Sequence, residues 1–176
     1  MNVFSSASEF TSNLLDAVAI GDYESVHCLL SKTNHKFTNH LDDYGNNVLH
    51  WCASADSEAL VAILITQYCA QSCINMKNRD GEVPLHWHIK HGCKVGVACL
   101  LYYGADASIS SYDTPNGPGM TPLQLAFSCR NDDIIKLLYS YGCRKLAWIF
   151  ILRIISTVYN MYANICNVTC NVTVVV

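Results

Sequence analysis

Gly81-Glu82-Val83-Pro84-Leu85-His86, then Gly92, then Val97-Ala98-Cys99-Leu100-Leu101, then Gly104-Ala105-Asp106, is the stretch on which the fold turns. Aligned on Leu85, three further copies fall into register. Leu49 has Val61 and Leu64 at the same offsets, Leu123 has Ile135, Leu138 and Gly142, and Leu14 has Gly21, Val26 and Leu29. The four anchor leucines lie 35, 36 and 38 residues apart. Self-similarity of that period marks a stack of units, none of which can bury its apolar face alone.

Each position in the pattern has a physical reading. Pro84 and Pro122 suit the first turn of a helix, where the missing N–H is not needed and φ is already helical. Gly21 and Gly92 are placed to end the first helix of a unit as left-handed caps. Val97, Leu100 and Leu101 have the i, i+3, i+4 spacing that gathers an apolar stripe on a second helix. Gly104 and Gly142 are expected to close that helix and turn the chain towards the next unit.

Val83-Pro84-Leu85-His86 and Thr121-Pro122-Leu123-Gln124 resemble the Thr-Pro-Leu-His signature of the ankyrin repeat, with Asn47-Val48-Leu49-His50 a weaker copy. The resemblance covers roughly Asn13 to Cys143. It implies an all-α solenoid of helix-turn-helix units joined by β-turn loops, here with an additional apolar C-terminal helix. The expected organisation is an N-terminal lead over 1–11 and a repeat domain over 12–143. The units fall at about 12–41, 42–77, 78–115 and 116–143, and an apolar tail follows over 144–176. The resemblance also implies that His50 and His86 bond backbone and tie successive turns together, a structural role.

Departures from the pattern are informative. Against a period of about 33 residues, extra length falls near Cys69 to Cys73 and near Ser111 to Pro118, between motifs. Thr114-Pro115-Asn116-Gly117-Pro118-Gly119 is a run of turn formers and is expected to protrude as a loop, a common place for recognition. Tyr68 stands where other units place glycine, so the second unit should end less sharply. His88 occupies a position where the family has a small alanine, and should disturb the packing of neighbouring first helices.

Charged residues make up 14% of the chain, well below the roughly 25% of ordinary soluble domains. That points to substantial apolar surface to cover. A formal charge of −3, with basic residues scattered, argues against a phosphate-backbone binder, so nucleic acid is not an expected partner. The N-terminus lacks the basic and apolar regions of a signal peptide. Cys28, Cys52 and Cys99 fall where the register assigns packing. Ten cysteines therefore read as reduced, mostly buried thiols of a cytoplasmic protein.

His86, His88, His91 and Cys93 lie within eight residues, but the repeat signature accounts for His86, and zinc needs convergent tetrahedral ligands. No metal site and no cofactor are expected. The chain has no Gly-x-Ser-x-Gly and no phosphate loop. Asp42-Asp43 reads as turn residues entering a unit and Asp132-Asp133 as solvated charges at a helix start. The expectation is a non-enzymatic protein.

From Leu146 to Ile165 runs a stretch with one charge, Arg153, preceded by Arg144-Lys145. It is long enough to cross a bilayer with the repeats on the cytoplasmic side. Arg153, Asn160 and Asn164 count against insertion. The other readings are a helix that caps the open end of the stack, as solenoids require, and the end of a truncated product. Asn167-Val168-Thr169 and Asn171-Val172-Thr173 match the glycosylation sequon, and Cys166 and Cys170 could be acylated. Both readings depend on membrane insertion.

The resemblance implies a partner protein on the concave side, formed by turn tips and the exposed face of each first helix. Carried onto this chain, that selects Asp43, Tyr44 and Asn46, then Arg79, Asp80, Glu82, Lys90 and His91, then Met120, Ser128 and Cys129. Trp51 and Trp87 directly follow the motif position of His50 and His86 and are expected to pack between units, with an exposed edge as a candidate anchor. The expected role is an adaptor or an inhibitor. A second reading comes from Leu-His-Trp in two units followed by an apolar segment. It resembles the N-terminal part of ankyrin-containing protein acyltransferases, although their Asp-His-His-Cys tetrapeptide is missing.

Overall fold

Three of the four anchor leucines, Leu14, Leu49 and Leu85, are completely buried, and Leu123 of the last unit is half-buried. The computed structural model describes residues 7–31, 41–55, 57–68, 70–113, 117–142 and 155–156. Among them the elements are α1 (Ala7–Ile20), α2 (Tyr23–Ser31), α3 (Val48–Ala55), α4 (Glu58–Gln67), α5 (Pro84–Lys90), α6 (Lys94–Tyr102), α7 (Pro122–Ser128) and α8 (132–142). A 3-10 turn covers Ala70–Cys73. The chain divides into two compact units, Met1–Leu138 and Tyr139–Val176. The apolar stretch over 146–165 lies outside the described residues except for the helical pair Ile155 and Ser156, both exposed. Among the described residues no helix is long and apolar enough to cross a membrane. Asn167, Asn171, Cys166 and Cys170 also lie outside them.

Within the first unit the helices form two rows. The first helices pack in sequence, α1 on α3, α3 on α5 and α5 on α7, and α1, α3 and α5 are each paired with their own second helix. In the second row α4 packs on α6, while Tyr23 Oη bonds Ser57 Oγ and His27 bonds the Tyr68 hydroxyl between the first two repeats. Two rows leave every helix of fewer than ten residues flanked by apolar neighbours, which short helices need because propensity alone does not hold them. Val97 and Leu100 of α6 are completely buried, as are Leu60, Val61 and Leu64 of α4.

Local chemistry sets the helix ends. Thr121 caps α7, with its Oγ1 accepting the Gln124 N–H and Gln124 Oε1 returning to the Thr121 N–H at 2.9 Å, a reciprocal capping box. Ser57 accepts the Leu60 N–H at the start of α4 and Asn131 Oδ1 the Ile134 N–H at the start of α8. Tyr68 ends α4 at φ −114° and is buried, and the 3-10 turn begins at Ala70. Gly142 is still helical and has no positive φ, so the expected helix-closing turn is not at that residue. Cys28 is exposed rather than packed, because α2 turns Val26, Leu29 and Leu30 inward and Cys28 away.

Gly92 ends α5 with φ +72°, and the residue in its register after α7 is Arg130, with φ +54°. A left-handed L-residue costs about 1–2 kcal/mol, and the exposed Arg130 side chain offers little to set against it. Arg130→Gly is expected to stabilise the chain by about 0.5–1 kcal/mol, less than the full strain because glycine loses more entropy on folding. Urea titration of the two proteins measures this, and an unchanged midpoint would show that the strain is already relieved.

Candidate functional site

The loops between repeats are ordered by buried polar side chains. Asp42 Oδ1 accepts the N–H groups of Tyr44 and Asn46 at 2.9 and 2.8 Å, and Oδ2 accepts Asn46 Nδ2 at 2.8 Å and the Trp51 indole N–H at 3.2 Å. One repeat later Asn78 stands at the same distance before its anchor leucine. Its Oδ1 accepts the N–H groups of Asp80 and Glu82, and its Nδ2 donates to Asn46 Oδ1 at 2.8 Å. The backbones of successive tips join directly, Arg79 N–H to Tyr44 O at 3.0 Å and Tyr112 N–H to Asp80 O at 2.9 Å. Tyr112 lies so close over Gly81 that a Cβ there would meet its backbone nitrogen. Lys77 covers the Tyr112 ring from 4.6 Å and donates to Ser110 O, which holds the start of the long loop on the third tip. Residues 114–116 of that loop lie outside the described residues.

His50 Nε2 donates to Glu82 O at 3.1 Å and His86 Nε2 to Met120 O at 2.9 Å, each reaching the next tip. Because a carbonyl can only accept, both rings are protonated at Nε2, and Nδ1 is free to accept the N–H of Asn47 and of Val83. Burial lowers the His50 pKa from 6.5 to about 4, outweighing the opposing pull of its hydrogen bond to Glu82 O and the charge of Asp42, and lowers that of His86 for the same reason.

The four side chains of the His86–Cys93 cluster go to four different carbonyls. His86 reaches Met120, His88 Nε2 donates to Leu49 O at 3.1 Å, His91 Nδ1 to Trp87 O at 2.9 Å, and Cys93 Sγ to Ala53 O at 2.8 Å. Among the described residues no three His, Cys, Asp or Glu side chains are placed to share a metal ion. Cys52, Cys73, Cys93 and Cys99 are buried, and burial pushes the Cys52 and Cys73 thiols up, away from the reactive thiolate.

A band along the tips and first helices remains open to solvent. Trp51 and Trp87 are half-buried, with ring centroids 6.3 Å apart and planes tilted by 46°. His91 stacks on Trp87 at 5.9 Å, and the edge of His50 supports Trp87 from beneath at 5.8 Å. Tyr44 is 68% exposed, Met120 is exposed at its margin, and Asp43, Arg79, Asp80, Lys90 and His91 are exposed around them. Ser128 and Cys129 are exposed at the end of α7. Two expected contact residues are not on this surface. Asn46 is buried as a link between two tips, and Glu82 is buried with its carboxylate 2.5 Å from Lys90 Nζ, so neither is free to meet a partner. The organising roles of Asp42 and Asn78 were readable in principle, since both lie seven residues before an anchor leucine.

A family model described as ankyrin repeats (3 copies) matches residues 14–113 and 72–147. An ankyrin repeat protein of fowlpox virus is 36% identical over 101 residues, which covers 57% of this chain and 28% of that protein. A 26S proteasome regulatory subunit of Saccharomyces cerevisiae is 31% identical over 68 residues, 39% of this chain and 29% of the subunit. Human Rabankyrin-5 is 36% identical over 63 residues, 36% of this chain and 5% of its own length. The chain thus spans less than a third of the length of each of these relatives.

Proposed function

The chain belongs to the ankyrin-repeat family, and on that premise we propose that it is a non-enzymatic cytoplasmic module that holds another protein on the band of turn tips and first helices. The observation that carries this reading is the band itself. Trp51, Trp87 and His91 stand side by side on helices that pack in one row, and the exposed Tyr44 sits on a tip that is hydrogen-bonded to the next one. Aromatic side chains held rigid before binding lose little entropy on contact, which is why such residues dominate interface energies. Asp43, Arg79, Asp80, Lys90 and Met120 form the polar and flexible margin. Nothing in the band resembles a nucleophile with its base, since His50 and His86 are committed to carbonyls.

The test is quantitative affinity capture from cells that express the chain. The wild type is compared with Tyr44→Ala/His91→Ala on the band and with Tyr102→Ala on α6, whose side chain is 83% exposed. Proteins held by the wild type and by Tyr102→Ala should fall at least about tenfold with the double variant, as loss of central aromatic contacts implies. Loss with Tyr102→Ala alone would move the site to the second-helix row. Adaptor and inhibitor then separate on whether a captured enzyme loses activity when bound.

A further inference from the structure

We infer that the segment seated on this band is cationic, a stretch of partner protein that sets an arginine or lysine side chain against Trp51 between the carboxylates of Asp16 and Asp42. The inference rests on the binding face proposed above and names the chemistry of its occupant.

Three observations lead to it. The first is register. Asp16, Trp51 and Trp87 each lie two residues after the anchor leucine of their helix, and α1, α3 and α5 pack consecutively. Asp16, which is exposed, is therefore the row neighbour of Trp51. The second is the hydrogen bond from the Trp51 indole N–H to Asp42 Oδ2, which puts a second carboxylate at the edge of the same ring, with exposed Asp43 beside it. An indole face flanked by carboxylates attracts a cation through both the ring quadrupole and the net charge.

The third observation is the distribution of charge along the chain. From Ala7 to Met76 the described residues include aspartate and glutamate but no lysine or arginine. Lys32 and Lys36 of that span lie outside them. None of the described residues from Ala7 to Met76 is a lysine or arginine that could neutralise Asp16, Asp42 or Asp43. From Lys77 onward the balance changes, and around Trp87 the band carries Arg79, Lys90 and His91. The cation is thereby directed to Trp51 rather than to the similar ring one repeat later. The same sequence distribution makes a second copy of this chain, offering its own basic half, the rival occupant.

The full chain is titrated by calorimetry with an Arg-Ser repeat peptide of roughly ten residues and with the matching Glu-Ser peptide. Saturable binding of the first is expected, weakening roughly tenfold as salt rises from about 0.05 to about 0.3 M. Asp16→Asn and Asp43→Asn should each weaken it about threefold and Trp51→Leu about fivefold, while Asp132→Asn on α8 leaves it unchanged. Equal affinity for the Glu-Ser peptide, or no response to Asp16→Asn, overturns the inference. So does a low-salt dimer in light scattering that Asp16→Asn abolishes, which assigns the surface to a second copy. Natural partners lost with Tyr44→Ala/His91→Ala yet kept by Asp16→Asn/Asp43→Asn would sink the cationic inference alone. Partners indifferent to both pairs would remove the binding face itself.

Discussion

Gly96→Ala is expected to destabilise the chain by about 2–4 kcal/mol, although alanine is favoured over glycine in a helix by about 1 kcal/mol. A Cβ at Gly96 would land inside the His88 imidazole. That ring is completely buried and donates to Leu49 O across the α3–α5 contact, so it cannot swing aside without leaving a buried polar group unmet. Overpacking costs about 1–3 kcal/mol and the lost hydrogen bond about 1–3 kcal/mol more, which together outweigh the propensity gain. The register shows how the pair arose physically. At the position of His88 the other repeats carry Ala17, Cys52 and Ala126, and at the position of Gly96 the second and fourth carry Leu60 and Ile134. Leu60 and Ile134 are both fully buried. The third repeat has exchanged the volumes, with the large side chain on the first helix and none on the second. His88→Ala/Gly96→Leu, which reinstates the arrangement of its neighbours, should therefore recover most of the stability lost in either single variant. Urea unfolding of the cycle reads this as a coupling of about 1–3 kcal/mol; additive effects would mean the two positions are independent.

Acid should weaken the fold before carboxylates begin to titrate. His50 has its folded pKa lowered to about 4 against an unfolded value of 6.5. Above pH 6.5 the ring is neutral in both states and its contribution does not vary. As pH falls from 6.5 to 4 the unfolded chain takes up a proton that the folded chain refuses, and stability drops by about 3 kcal/mol before levelling off. His86, shifted in the same direction by the same cause, adds to the loss. His50→Gln, which keeps a side-chain donor for Glu82 O, should flatten much of the slope between pH 6.5 and 4. Stability that stays constant across that window in the wild type would show that water reaches these rings.

Much of the architecture was legible because it depends on periodicity. The spacing of Leu14, Leu49, Leu85 and Leu123 and the apolar triplets of the second helices announce a solenoid, and helices appear at each of those places. His88 was legible only as an anomaly. Its neighbour Gly96 is eight residues away on another helix, so no local pattern connects them. The exposed band was partly legible. Tyr44, Asp80 and His91 follow from their positions at tips and helix ends, whereas Asn46 and Glu82 lie at equally polar positions and are turned inward.

The repeat register, the α-helical class and the apolar core follow from the sequence itself, because each repeat specifies its own helices through capping residues, proline at the first turn and the i, i+3, i+4 stripe. Tertiary structure alone decides which polar side chains the stack consumes and which it leaves exposed. Asn46 and the Glu82 carbonyl are taken up because the adjoining repeat presents Asn78 and His50 to them, contacts that form only when repeats some thirty residues apart pack face to face, while the Glu82 carboxylate turns to Lys90 of its own repeat. Trp51 and Trp87 remain half-open for the complementary reason: their helices stack closely enough to hold the rings and not closely enough to cover them.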